Sequence, residues 1–168
     1  MGQEILRLPG LIDPHVHLRD FNEEQKETFL TGTEAAVCGG VVTVLAMPNT
    51  KPAITSPEML QRTIGSFRSQ AVCDWGLHYG ATVDNVGEYG EVVNRVFALK
   101  MYLNSTHGEL LLTDPQVIEA HFRSWPKNRM IMVHAEERTV FDVLDLMKKD
   151  PRPVYFCHVS TADEINWL

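Results

Sequence analysis

The feature that most restricts how this chain can fold is a regular alternation. Six short, nearly continuous apolar runs are each followed by a stretch with helical spacing. The runs are Leu11 to His17, Val41 to Met47, Trp75 to Ala81, Ala98 to Leu103, Met130 to Ala135 and Val154 to Val159. Helical patterns cover Glu24 to Cys38, Pro57 to Gln70, Val86 to Val93, Asp114 to Trp125 and Glu137 to Lys148, and a sixth begins at Thr161. Strands that are apolar throughout are covered on both faces, and helices joining them by short connections imply a parallel sheet. The expected class is α/β, built from βα units.

Local punctuation agrees. Ser56 before Pro57 reads as an N-cap with proline at the first helical position, and Thr113-Asp114-Pro115 reads the same way. Gly39-Gly40 after the first helix is a left-handed stop. A closed (β/α)8 barrel needs eight strands and about 250 residues. Here six units occupy 168 residues, and the sequence ends at "STADEINWL", inside the sixth helix. The expectation is a single barrel domain over residues 1–168, truncated after about six βα units, with a smaller open sheet as the alternative. In such a piece the first and sixth strand edges are an aggregation liability unless something covers them.

A formal charge of -7 argues against nucleic acid as the main partner, because phosphate binding needs clustered Lys and Arg. There is no run of eighteen apolar residues and no signal-peptide pattern, so a cytoplasmic protein without membrane association is expected. Cys38, Cys73 and Cys157 are scattered and odd in number, which suits neither a disulfide framework nor a CxxC zinc pair. Cys157 adjoins His158, but a small buried strand residue is the commoner explanation.

Polar residues recur where the strands end: Asp13, His15, His17 and Arg19 in "LIDPHVHLRD", then Asn49, Lys100, Tyr102, His134, Glu136 and His158. Alternate residues of an extended segment share a face, so the first four are expected to point together. In parallel βα folds the C-terminal strand ends form the active-site crevice. A single histidine there is usually a hydrogen-bonded structural residue. An H-x-H pair joined by His134 and His158 instead suits a metal, since neutral imidazole is a common zinc ligand. His78, His107 and His121 lack that placement, and His121 on a helix face suggests packing or solvation. Lys100 is discordant, because an ammonium repels a cation. It either salt-bridges or snorkels to solvent, or carries an added carboxylate.

Five segments, "PGLIDPHVHLR", "GGVVTVLAMPNT", "ALKMYLN", "VHAE" and "CHVST", resemble in order the signatures of dihydroorotase, of the metal-dependent amidohydrolase superfamily. The spacing is most similar to the dihydroorotase domain of multifunctional pyrimidine-synthesis proteins. The resemblance implies two Zn2+ ions: His15 and His17 on the first, His134 and His158 on the second, and carboxylated Lys100 bridging them. It also implies that Arg19 and Asn49 hold a substrate carboxylate and that Thr106 closes over substrate from a mobile loop. The implied reaction is reversible cyclisation of N-carbamoyl-L-aspartate to L-dihydroorotate. The family's general base, an aspartate after the eighth strand, has no counterpart among these residues, so this chain alone is expected to be inactive. A homo-oligomer, within a larger multifunctional polypeptide, is implied as well.

Two departures stand out. "RDFNEEQKETF" replaces the family's "REPG" and "KED"-like stretch, so a different loop is expected beside Arg19. His107 in "LNSTHGEL" replaces an aromatic residue, which would alter loop closure. The readings to be separated are a zinc dihydroorotase, an inactive dihydroorotase-like structural or oligomerisation domain, and a hydantoinase- or allantoinase-type hydrolase.

Overall fold

A computed structural model describes residues 5–105 and 110–168. Its elements run β1 (Leu11–Val16), α1 (Phe29–Cys38), β2 (Val41–Ala46), α2 (Pro57–Gln70), β3 (Asp74–Gly80), α3 (Tyr89–Val92), β4 (Ala98–Tyr102), α4 (Pro115–Ser124), β5 (Met130–His134), α5 (Arg138–Lys149), β6 (Val154–Phe156) and α6 (Ala162–Trp167). The strands lie in one parallel sheet in the order β1-β2-β3-β4-β5-β6. Each βα unit therefore adds its strand beside the previous one, the winding of a barrel and not of a doubly wound sheet. The fold is α/β, a six-stranded arc of a (β/α)8 barrel.

Period-two alternation divides the side chains between two layers. Leu99, Met101, Ile131 and Val133 face the helices and join Phe29, Leu60, Phe67, Phe122, Trp125 and Val143 in the main core. On the inner side Ala98, Met132, Met47 and Cys157 form a small second cluster. Lys100 pairs in register with Met132, and Tyr102 with His134. Lys100, Tyr102 and His134 therefore continue the inner rows toward the C-terminal end of the sheet.

The caps form as their residues dictate. Ser56 Oγ accepts from Met59 N, and an Asp114 carboxylate oxygen accepts from Gln116 N. Gly40, at φ 84°, takes the left-handed position after α1. The first helix starts at Phe29 and not near Glu24: Thr28 caps it in a reciprocal bond with Thr31, while Glu23 and Lys26 close a tight turn ahead of it. The expected helix from Val86 to Val93 is a 3-10 turn, Val86–Glu88, followed by the short α3. β6 stops at Phe156, short of the expected Val159. On the two edges, Ile12 is 64% exposed and Tyr155 39%, leaving apolar side chains in solvent along both outer strands. No described helix is long and apolar enough to cross a membrane.

Candidate metal centre

β1 ends at Val16, yet His15 and His17 do converge: their Nε2 atoms are 3.3 Å apart. Two imidazoles on one tetrahedral ion, with bonds of about 2.0–2.1 Å, hold their nitrogens about 3.3 Å apart. The pair is thus already spaced for a shared ion. Asn49 Oδ1 accepts from His17 Nδ1–H at 2.7 Å, which turns the Nε2 lone pair toward His15. Burial, then the Lys100 charge, lowers the His15 pKa to about 3, and burial also lowers that of His17. At neutral pH both rings therefore present lone pairs.

The second half of the cluster comes from β5 and β6. The His158 ring lies 4.6 Å from that of His134 and 4.8 Å from that of His15, centroid to centroid. His134, Glu136 and His158 each offer a ligand atom within 4.8 Å of the others, and Glu136 Oε1 sits 3.0 Å from His134 Nε2. His158 reaches this place with φ at 59°, and Glu137, just beyond Glu136, has φ 51°. Left-handed backbone at non-glycine residues costs about 1–3 kcal/mol and persists only where neighbours enforce it.

Here the enforcing group is Glu164. Its buried carboxylate accepts from Glu137 N (3.2 Å), Ser160 N (3.0 Å) and Thr161 N (3.0 Å), tying the loop after β5 to the loop after β6. The Ser160, Glu137 and Thr161 donors hold its carboxyl down to about 2, against an ordinary 4.5. Glu164→Gln puts an amide donor among N–H donors. It is expected to weaken metal retention by about tenfold or more, read by competition with a chelator. The ionised carboxylate stabilises the fold fully above pH 4.5 and stops doing so as pH falls toward 2, so wild type and variant should converge in melting temperature over that window.

Lys100 is fully buried beneath the histidines. Its Nζ donates to Cys157 Sγ at 2.8 Å and lies 5.0 Å from the Tyr102 ring centroid. Among the described residues no carboxylate pairs with it, and burial lowers its pKa, favouring the neutral amine. The snorkelling expectation is thereby excluded. Cys157 is the buried residue expected, but its role as partner to Lys100 was not legible in the sequence.

Arg19 does not continue the row of His15 and His17. The chain leaves the strand, Arg19 Nη1 donates to the Asn49 carbonyl (2.7 Å), and it lies 3.5 Å from Glu23 Oε2. Asp13 also leaves the row, accepting from the His15 backbone N–H at 2.9 Å. Arg19 and Asn49 line a cleft of about 950 Å³ with Glu23, Lys26, Lys51 and Thr82. The loop that replaces "REPG" is held by Asp20, whose carboxylate accepts from Phe21 N, Ser66 Oγ and Gln70 Nε2. Thr106 and His107 lie outside the described residues. His121 packs as expected, fully buried between the Tyr89 hydroxyl and the Thr82 carbonyl, and His78 donates to the Pro14 carbonyl.

The residues fit a metal centre: five candidate ligands from four strand ends, orienting partners behind them, and burial that lowers the pKa of His15, His17 and His158. A family model described as dihydro-orotase-like matches residues 4–121. The chain is 43% identical over 98% of its length to the multifunctional protein CAD of Squalus acanthias, covering 7% of that protein. It is 33% identical over 93% of its length to the dihydroorotase of Pyrococcus horikoshii, covering 38%. Among solved structures, the L-hydantoinase of Arthrobacter aurescens superposes with TM-score 0.86 at 19% identity, over 95% of this chain and 43% of that one. An inactive dihydroorotase-like domain of the Chaetomium thermophilum CAD-like multifunctional protein superposes with TM-score 0.78 at 26% identity, over 95% and 47%. The chain thus spans less than half the length of each. The motifs, the strand-end histidines and these likenesses agree: the chain belongs to the dihydro-orotase-like family.

Proposed function

We propose that this chain forms part of a zinc-dependent dihydroorotase domain, itself part of a larger pyrimidine-synthesis polypeptide. It would contribute both metal-binding halves and the pocket for the substrate carboxylate. The observation that carries this reading is the joint placement of His15, His17, Lys100, His134 and His158 at the C-terminal end of one parallel sheet, with Arg19 and Asn49 on the adjoining cleft.

His15 and His17 would hold one zinc ion, and His134 and His158 a second. Lys100, whose pKa burial lowers, would serve both sites as the anionic carbamate formed by uptake of carbon dioxide and loss of a proton. Bound there, the ions supply Lewis acidity toward an amide carbonyl and make a water acidic near neutral pH. The chain's own residues do the positioning. Asn49 keeps His17 in the Nδ1–H tautomer, and the Arg19 guanidinium offers a fork to a ring carboxylate. Thr106 is the further residue proposed to contact the bound ring.

The Chaetomium likeness keeps an inactive structural domain as the second reading, and the hydantoinase likeness shows shared fold alone. The deciding experiment is elemental analysis paired with hydrolysis of L-dihydroorotate and hydantoin, on the longest natural chain that contains this segment. Two zinc ions with dihydroorotate turnover is the expected result. Zinc without turnover would establish the inactive reading, and turnover of hydantoin alone would establish the other.

A further inference from the structure

Among the described residues Glu23 is the one carboxylate lining the cleft, and the geometry around it is specific. Its side chain is 5% exposed. One oxygen accepts from Lys26 Nζ at 2.7 Å and lies 4.0 Å from Lys51 Nζ, while the other is 3.5 Å from Arg19 Nη1. Three cations from two loops thus converge on a single carboxylate, and the Lys26 bond, together with those charges, keeps it ionised.

We infer that Glu23 is a built-in competitor for the Arg19 guanidinium, and that it sets how strongly the cleft favours a ring bearing a carboxylate over a neutral ring. The inference rests on the proposed role of Arg19. A ligand carboxylate that engages Arg19 must come close to Glu23, and like charges side by side oppose binding. Glu23 also offsets one of the three positive charges that would draw an anion in. Holding the turn does not require this charge. Asp20 already ties the loop to Phe21 N, Ser66 and Gln70, and the Glu23 backbone closes the turn through Glu23 N to the Asp20 carbonyl (3.1 Å) and Lys26 N to the Glu23 carbonyl (2.8 Å). The acidic side chain is therefore surplus to local folding, and it sits where it is felt by an incoming anion.

The test compares two planar rings that differ in the carboxylate, orotate and uracil. Their binding to the metal-loaded, full-length protein is measured by calorimetry for wild type, Glu23→Gln and Lys26→Gln. The Glu23→Gln side chain keeps an acceptor for Lys26 while losing the charge. Glu23→Gln is expected to tighten orotate about fivefold or more and leave uracil unchanged. Lys26→Gln, which removes a cation and leaves Glu23 to Arg19 and the more distant Lys51, is expected to loosen orotate by a similar factor. It decides the matter if Glu23→Gln does not fold, since unchanged orotate binding to Lys26→Gln would overturn the inference.

Orotate no tighter in Glu23→Gln, or both rings tightened equally, would also overturn it. If wild type binds orotate and the variant binds it no better, only the inference falls and the dihydroorotase reading stands. If wild type fails to bind orotate and Glu23→Gln binds it, the inference stands and that reading falls for the native chain. Binding of neither ring by either protein would end both.

Discussion

Lys100→Met is expected to separate activity from stability in the full-length protein. Hydrolysis of dihydroorotate and retention of metal through dialysis should both fall by at least about a hundredfold, because loss of even an outer-shell partner costs ten- to a hundredfold and the proposed function would have this residue serve both ions. The melting temperature of the metal-free protein should hold or rise. Methionine matches the stem of lysine in volume, and it removes an amine that is fully buried against a thiol and an aromatic ring. Burying such a group without a strong acceptor is costly, so replacing it by an apolar one relieves the fold. A variant that keeps metal and turnover would show that Lys100 bridges nothing. A variant that fails to fold would show that the amine supports the core.

The largest effect on stability is expected at Trp125, the residue that closes α4. The ring is fully buried, packs edge-on to Tyr89 at 4.9 Å and donates Nε1–H to the Met130 carbonyl at 3.0 Å, while its own carbonyl accepts from Arg152 Nη2 at 2.7 Å. Trp125→Ala removes the ring and leaves the Met130 carbonyl without that donor, a loss of about 3–5 kcal/mol. Against a total stability of about 5–15 kcal/mol, that is a fifth or more of the whole, and it leaves a large unfolded fraction at 37 °C if the wild type lies near the low end. Trp125→Phe keeps the packing and loses the donor, so its cost should stay near about 1–2 kcal/mol. Urea unfolding of the three proteins gives both numbers, and equal midpoints for alanine and wild type would mean that α4 is not docked as described.

Much of the architecture was legible because it depends on short-range patterns. Apolar runs of strand length, capping residues such as Ser56 and Asp114, and the glycine stop at Gly40 each act over a few residues, and they appear where expected except that β6 is cut short at Phe156. The start of α1 was not legible. The stretch from Glu24 to Glu27 has helix-forming composition, but it is taken by a backbone-closed turn that Asp20 anchors to Ser66 and Gln70 on α2. The candidate ligands were legible from their strand-end positions, and the resemblance gathered them into one centre. Glu164 left only a faint trace, the T-x-x-E spacing of a capping box at Thr161. Nothing in that spacing reveals the bond to Glu137 N on another loop.

The sequence by itself determined the βα order, the parallel sheet and the five residues gathered at its C-terminal end, since periodicity and strand-end position are properties of neighbouring residues. Only the tertiary structure decided how those side chains are held. Asn49 orients His17, Cys157 meets Lys100 across the inner layer, and Glu23 faces Arg19 over the cleft. The first two are contacts between residues 32 and 57 positions apart, and the Arg19–Glu23 pair, though only four apart, depends on where the turn after β1 is anchored. Local propensity carries no information about such distances. They are set by the packing of helices on the sheet, which brings separate loops to a common end.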